Sequence, residues 1–236
     1  VFGFFVLVLR TANAKQPDTA FLKASVANTV RFYSSSIEGQ TLLYTGSEYG
    51  TPQTRDDQHP FFLSDDWIYG TVRYRGQDYE HVPLLYDIST GQLVTENYYN
   101  AEEIVLVSEN LEEFTINDHL FRRIQNEDVS RSLPATGYYE VLYDGPSRTI
   151  ARHLKTLTED IESHVVKIGY DEKIRYFLLR NGRYLAIRTR RGMLDALEDQ
   201  KPALKQFLKK NKLRFRRDPE QTLTKIAAYY DTLIAE

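Results

Sequence analysis

The chain has 236 residues, of which 42% are hydrophobic and 27% charged, a globular composition long enough for one large domain or two small ones. It contains no Cys, which excludes disulfides, thiolate zinc sites, thiol nucleophiles and a lipidated Cys. The net charge of −3 hides a segregation: residues 173–217 hold 15 Lys or Arg against 3 Asp or Glu, a local +12, so the remainder carries −15.

The chain starts on an uninterrupted apolar run, residues 1–9, followed by Ala12-Asn13-Ala14 and Lys15. A short apolar region before a small-x-small site is the layout of a secretory signal peptide, here 1–14 without its basic start. The competing reading is a buried strand. Nine residues are too few to span a bilayer as a helix, and no later segment is apolar enough, so no transmembrane helix is expected in a mature chain 15–236. Export to the periplasm or association with the outer membrane follows as an expectation. Asp18 or Thr19 then caps a helix over 19–35, with Phe21, Val26, Val30 and Tyr33 on its apolar face. Residues 46–60, with Gly50, Pro52, Asp56 and Asp57, read as a loop.

From 61 to 189 the apolar period changes to two. Strands are expected at 67–74, 79–87, 93–99, 104–108, 113–116, 120–125, 138–143, 149–157, 164–170, 175–179 and 184–189. Arg75-Gly76, Asp144-Gly145 and Asn181-Gly182 mark tight hairpins, because both central residues must take positive φ, and Ser89-Thr90-Gly91 marks a looser one. The unbroken apolar run Ile104-Val105-Leu106-Val107 suits a strand buried on both faces. Residues 126–136, with Pro134, read as a longer loop. The fold class is therefore mainly β (α+β): a single-domain antiparallel meander, able to curl toward a partly closed barrel. The 17 Tyr and 12 Phe fit such a sheet.

Beyond 189 the period becomes helical. Helices are expected at 191–199 and 202–210, with Leu194, Leu197, Leu204, Phe207 and Leu208 inward. A third begins at Asp218 as cap, Pro219 at the first position and Gln221 at the third, close to a capping box. Leu223, Ile226, Ala227, Tyr230 and Leu233 form its stripe. Residues 190–236 thus make a basic helical cap on the sheet.

No Gly-x-Ser-x-Gly, P-loop, dinucleotide-binding glycine pattern or His-Glu-x-x-His occurs, and no cofactor is implied. The five His, at 59, 81, 119, 153 and 164, have no metal-ligand spacing, so no metal site is assigned. Asp65-Asp66 beside the sole Trp67, six residues after His59, could hold a hard cation or work as an acid–base pair. Neighbours in an extended segment point to opposite faces, so a turn with an Asp cap, anchored by Phe61, Phe62 and Trp67, is the competing reading. Glu102-Glu103 and Glu112-Glu113 read as solvated strand ends. The basic stretch offers a binding surface of Arg188, Arg190, Arg191, Lys209, Lys210, Lys212, Arg214, Arg216 and Arg217. It suits an anionic envelope component or envelope protein rather than nucleic acid, unless it simply complements the acidic remainder of the chain.

In order along the chain, His59-Pro60-Phe61-Phe62-Leu63-Ser64-Asp65-Asp66-Trp67, Val82-Pro83-Leu84-Leu85-Tyr86-Asp87, Gly137-Tyr138-Tyr139-Glu140-Val141-Leu142-Tyr143-Asp144-Gly145 and Lys209-Lys210-Asn211-Lys212-Leu213-Arg214-Phe215 carry a resemblance. Over roughly residues 20 to 233 the chain resembles a group of exported, uncharacterised β-rich proteins of Bacteroidota. The resemblance implies an N-terminal signal, a β-rich middle and a basic helical tail, and it carries over no catalytic residue. The expected function is that of an exported non-enzymatic cell-envelope protein that binds or scaffolds an envelope partner through its basic C-terminal surface. The alternatives are a lipocalin-like carrier of a small apolar ligand and, more weakly, a hydrolase with carboxylates near Asp65 and Asp66.

Overall fold

Alternating apolar residues and positive-φ turns build one antiparallel sheet of eleven strands. The computed structural model describes residues 43–50, 58–97, 100–125, 135–162 and 165–235, with backbone alone for 159–162 and 165–168. The apolar start 1–14, the helix expected at 19–35 and Pro134 lie outside the described residues. The strands are β1 (Ser47–Glu48), β2 (Ile68–Tyr74), β3 (Gln77–Asp87), β4 (Gln92–Glu96), β5 (Glu103–Val105) and β6 (Leu111–Ile116). They continue with β7 (His119–Ile124), β8 (Gly137–Tyr143), β9 (Thr149–Glu162), β10 (Val165–Arg180) and β11 (Arg183–Ile187). Three helices follow: α1 (Arg190–Ala196), α2 (Lys201–Lys210) and α3 (Pro219–Ile234). No helix among the described residues is long and apolar enough to cross a membrane.

The sheet order is β1-β5-β4-β3-β2-β6-β7-β8-β9-β10-β11. The expected meander is therefore two meanders, β2 to β5 and β6 to β11, joined through β2 and β6 rather than through β5 and β6. Gly70 in β2 permits that junction: a Cβ there would lie 1.9 Å from the Thr115 carbonyl oxygen of β6. β1 and β11 form the two ends of the sheet, which does not close.

Two of the glycine turns are as expected. Arg75-Gly76 and Asn181-Gly182 both have positive φ at the two central positions, the geometry that matches strand twist. Asp144-Gly145 differs. β8 and β9 are linked by residues 144–148, Gly145 does not take positive φ, and Asp144 instead accepts from Arg122 and Arg148. The looser turn is organised by buried Asp87, whose Oδ1 accepts from the Ser89 and Thr90 amides and the Ser89 hydroxyl.

The strands expected at 164–170 and 175–179 are parts of a single strand, β10, in unbroken register with β9 from Thr149↔Leu178 to Glu162↔Val165. Asp171-Glu172-Lys173, which reads as a break, sits where β8 no longer flanks β9. Both sides of the ribbon are wet there, so polar residues do not interrupt it. The run 104–107 is shorter as a strand than expected, and half-buried Val105 packs against Tyr49 and Phe61. Strand residues buried on both faces occur instead at Leu84-Leu85-Tyr86 and Leu93-Val94.

The sheet curls on itself over β2 to β9. Phe61 and Phe62 run beside the end of β3, with the Phe62 amide donating to the Tyr86 carbonyl, and Lys155 Nζ of β9 donates to the His59 and Phe61 carbonyls. The concave face is packed with rings: Phe62, Tyr86, Phe114, Phe121 and Tyr138 contact one another at centroid separations of 5.0 to 6.2 Å. Beyond β8 the same face is covered by the helices, whose Leu194, Leu204, Leu208, Leu223 and Ile226 pack on Leu178 and Ile187. Directly paired residues share a face of a sheet. One such row runs Val72, Phe114, Phe121, Glu140, Ala151, Tyr176, Ile187 across seven strands. Glu140 is its one ionisable carboxylate, at the seam between the ring-filled core and the helical cap.

Candidate functional site

Two places concentrate chemistry, and the first is the basic region that the charge pattern singles out. β10 and β11 are turned by Asn181-Gly182, and the chain leaves β11 directly into α1, where Thr189 Oγ1 accepts from the Gly192 amide as N-cap. After α2 the segment around Phe215 returns to the sheet, and Asp218 caps α3 by accepting from the Gln221 amide, as the capping pattern predicts. Between β10, β11 and this returning segment lies a groove of about 1070 Å³.

Five cations line the groove: Lys173, Arg175, Arg188, Arg190 and Arg216, with no acidic side chain in the lining. Its apolar surface includes Tyr176, Ile187 and Phe215, and Leu185 at 37% exposure. Three of the nine predicted basic residues, Arg188, Arg190 and Arg216, thus line this groove, along with Lys173 and Arg175 from β10. Arg191, Lys209, Lys210, Lys212, Arg214 and Arg217 are exposed outside the groove lining. Among the described residues the ion pairs of this stretch go to two of its own three acids: Arg180 to Asp199, and Arg191 and Lys201 to Asp195.

The second place was not legible from spacing. Glu140 Oε1 lies 2.6 Å from His119 Nδ1 of β7, and Oε2 lies 2.6 Å from His153 Nε2 of β9. Burial alone would raise the Glu140 pKa, but the hydrogen bonds and charges of His153 and His119 outweigh it and hold the carboxyl below its ordinary range. Phe62 packs edge-on to both imidazoles, at 5.1 Å from His119 and 4.8 Å from His153. His153 Nδ1 is buried without a hydrogen-bond partner among the described residues. From the cap, Glu220 in the first turn of α3 brings a second carboxylate: ligating atoms of Glu140, His153 and Glu220 all lie within 4.8 Å of one another. The Tyr176 hydroxyl donates to Glu220 Oε1 at 3.2 Å.

Asp65 and Asp66 do not assemble a comparable site. Both are exposed, and Asp66 is engaged locally, its amide donating to Ser64 Oγ. Phe61 and Phe62 are core residues, and Trp67 packs at the edge of a second cluster, as the turn reading expects. His59 is half-buried, its Nδ1 has no hydrogen-bond partner among the described residues, and burial followed by the charge of Lys155 lowers its pKa. His119, Glu140 and His153 come from three consecutive strands and Glu220 from a helix. The one available sequence signal was an ionisable residue on the apolar phase of a strand, as Glu140 is between Tyr138 and Leu142.

No protein-family model matches the chain, and no curated protein or solved structure is measurably similar to it.

Proposed function

We propose that the protein is an exported, non-enzymatic cell-envelope protein that binds an anionic amphiphile of the envelope in the groove between β10, β11 and the segment leading into α3. The observation that carries this reading is the composition of the groove, whose lining holds five cations and several apolar residues with no acidic one. Cations gathered in a concavity attract an anionic headgroup, and Tyr176, Ile187, Phe215 and Leu185 offer apolar contact to an attached chain. The signal-like start 1–14 and the resemblance to exported proteins support an envelope location. The aromatic packing around Phe62 fills the inside of the curled sheet, which favours the groove over the interior ligand site of a lipocalin-like carrier.

Co-sedimentation with phosphatidylglycerol and with phosphatidylcholine vesicles at low salt tests the proposal. Binding to the anionic vesicles alone, lost in Arg188→Glu/Arg190→Glu/Arg216→Glu and kept in Lys209→Glu/Lys210→Glu, is the expected result. Failure of the native chain to bind, or equal loss in both variants, overturns it.

A further inference from the structure

We infer that Glu140, His153 and Glu220 form a divalent transition-metal site, with Zn²⁺ as the ion of best-matched chemistry, that pins the helical cap to the sheet, His119 holding Glu140 from outside the ligand set. The three ligands come from β8, β9 and α3, so a bound ion would link the ring-filled core to the helices that follow it. Ligating atoms of Glu140, His153 and Glu220 already lie within 4.8 Å of one another, and His119 Nδ1 is 2.6 Å from Glu140.

The donor set argues for a metal in three ways. Two carboxylates meet at the seam, and among the described residues only His119 and His153 face Glu140 as possible counter-charges and no Lys or Arg pairs with either carboxylate, so a divalent cation adds charge that the site can use. His153 has two ring nitrogens to place. Glu140 takes one, and the other is buried without a partner although the side chain is only 5% exposed. Nε2 is the nitrogen that meets Glu140 and would take the ion, and the unpartnered Nδ1 leaves the polar cluster incompletely satisfied among the described residues. Finally, one imidazole and two carboxylates suit Zn²⁺ and its first-row neighbours, whereas Ca²⁺ and Mg²⁺ take oxygen ligands.

The separations fit with a small adjustment. The two 2.6 Å contacts are hydrogen bonds. A tetrahedral ion with bonds of about 2.0–2.1 Å needs donors roughly 3.3 Å apart. The His153 N–H proton at its contact therefore leaves to solvent when the ion enters, that ring opens from Glu140 by less than ~1 Å, and the Glu220 carboxylate draws in. His119, at 32% side-chain exposure, is the edge from which an ion can arrive. Tyr176, donating to Glu220, orients that carboxylate from outside the ligand set. Three protein ligands leave the fourth position to water, and the link from β8 and β9 to α3 is what the ion adds to the fold.

The metal-stripped full chain, titrated with Zn²⁺ against a chromophoric chelator and separately with Co²⁺, tests the inference. The expected result is one Zn²⁺ per chain, a raised thermal midpoint, and a Co²⁺ visible spectrum of four-coordinate nitrogen–oxygen type. Glu220→Gln and Glu220→Ala, on the rim of the site and so expected to fold, should weaken Zn²⁺ binding by more than about tenfold. They should also remove the thermal shift. No uptake of either ion by the native chain, or uptake unchanged in both variants, overturns the site.

Discussion

The Tyr143 hydroxyl donates to the Asp231 carboxylate across 2.9 Å, linking the end of β8 to the last turns of α3 over 88 residues of sequence. The same carboxylate accepts from the Ser147 amide with both oxygens at 3.1 Å, and both residues are buried. Asp231 is thereby the polar fastening of a helix whose other face is held by Leu223, Ile226 and Tyr230.

Asp231→Ala leaves a buried amide and a hydroxyl without their acceptor, a loss of about 1–3 kcal/mol. Tyr143→Phe removes one hydrogen bond and leaves the Ser147 amide satisfied, so about 0.5–1.5 kcal/mol is expected. Urea unfolding of the two variants measures the order. Equal losses would show that the amide contact contributes nothing.

Phe62 stands at the centre of the concave face, against Phe121, His119 and His153. Phe62→Ala opens a cavity where few neighbours can collapse, and a loss of about 3–5 kcal/mol is expected. Leu63→Ala is the comparison, because Leu63 is 54% exposed and its truncation should change stability by less than about 0.5 kcal/mol. Similar chemical-denaturation midpoints for the two would contradict the packing described here.

Gly70 is required by close approach rather than by its dihedral angles. Gly70→Ala places a methyl 1.9 Å from the Thr115 carbonyl oxygen, so β2 and β6 must separate. Overpacking of this kind costs about 1–3 kcal/mol or more. Gly182→Ala acts differently, since open space surrounds that position and only its φ of +72° is strained. Amide exchange separates the cases: faster exchange is expected in β2 and β6 for Gly70→Ala and at the β10–β11 turn for Gly182→Ala.

Asp144 accepts from Arg122 at 3.0 Å and Arg148 at 2.6 Å, and the Arg122 hydrogen bond leads in holding its pKa below the ordinary 3.8. A carboxyl depressed on folding adds stability that is present above its unfolded value and lost as pH falls through the folded one. Native stability should therefore decline below about pH 4 with a contribution from this group. Asp144→Asn should flatten that acid limb, as thermal unfolding between pH 2 and 6 would reveal. An unchanged limb would assign the acid sensitivity elsewhere.

Local chemistry alone determined the antiparallel strands, the Arg75-Gly76 and Asn181-Gly182 turns and the capped start of α3. Each depends on residues a few positions apart: side-chain alternation, tolerance of positive φ, and a carboxylate three residues before an open amide. The same local view divided β10 at Asp171-Glu172-Lys173, because exposure of both faces of a ribbon is a property of its neighbours. It also read Asp144-Gly145 as a tight turn, whereas Asp144 is held by Arg122 from another hairpin.

Charge counting found the basic stretch, but only packing decided which cations meet in one groove: Arg188, Arg190 and Arg216 with Lys173 and Arg175, leaving Lys209 and Lys210 outside its lining. His119, Glu140, His153 and Glu220 were out of reach of spacing altogether. Pairing of β2 with β6, and docking of α3 on β8, depend on long-range contacts that no local pattern encodes. The sequence by itself therefore determined the elements and where charge lies along them, and the tertiary structure alone decided which charged and ligating groups face one another.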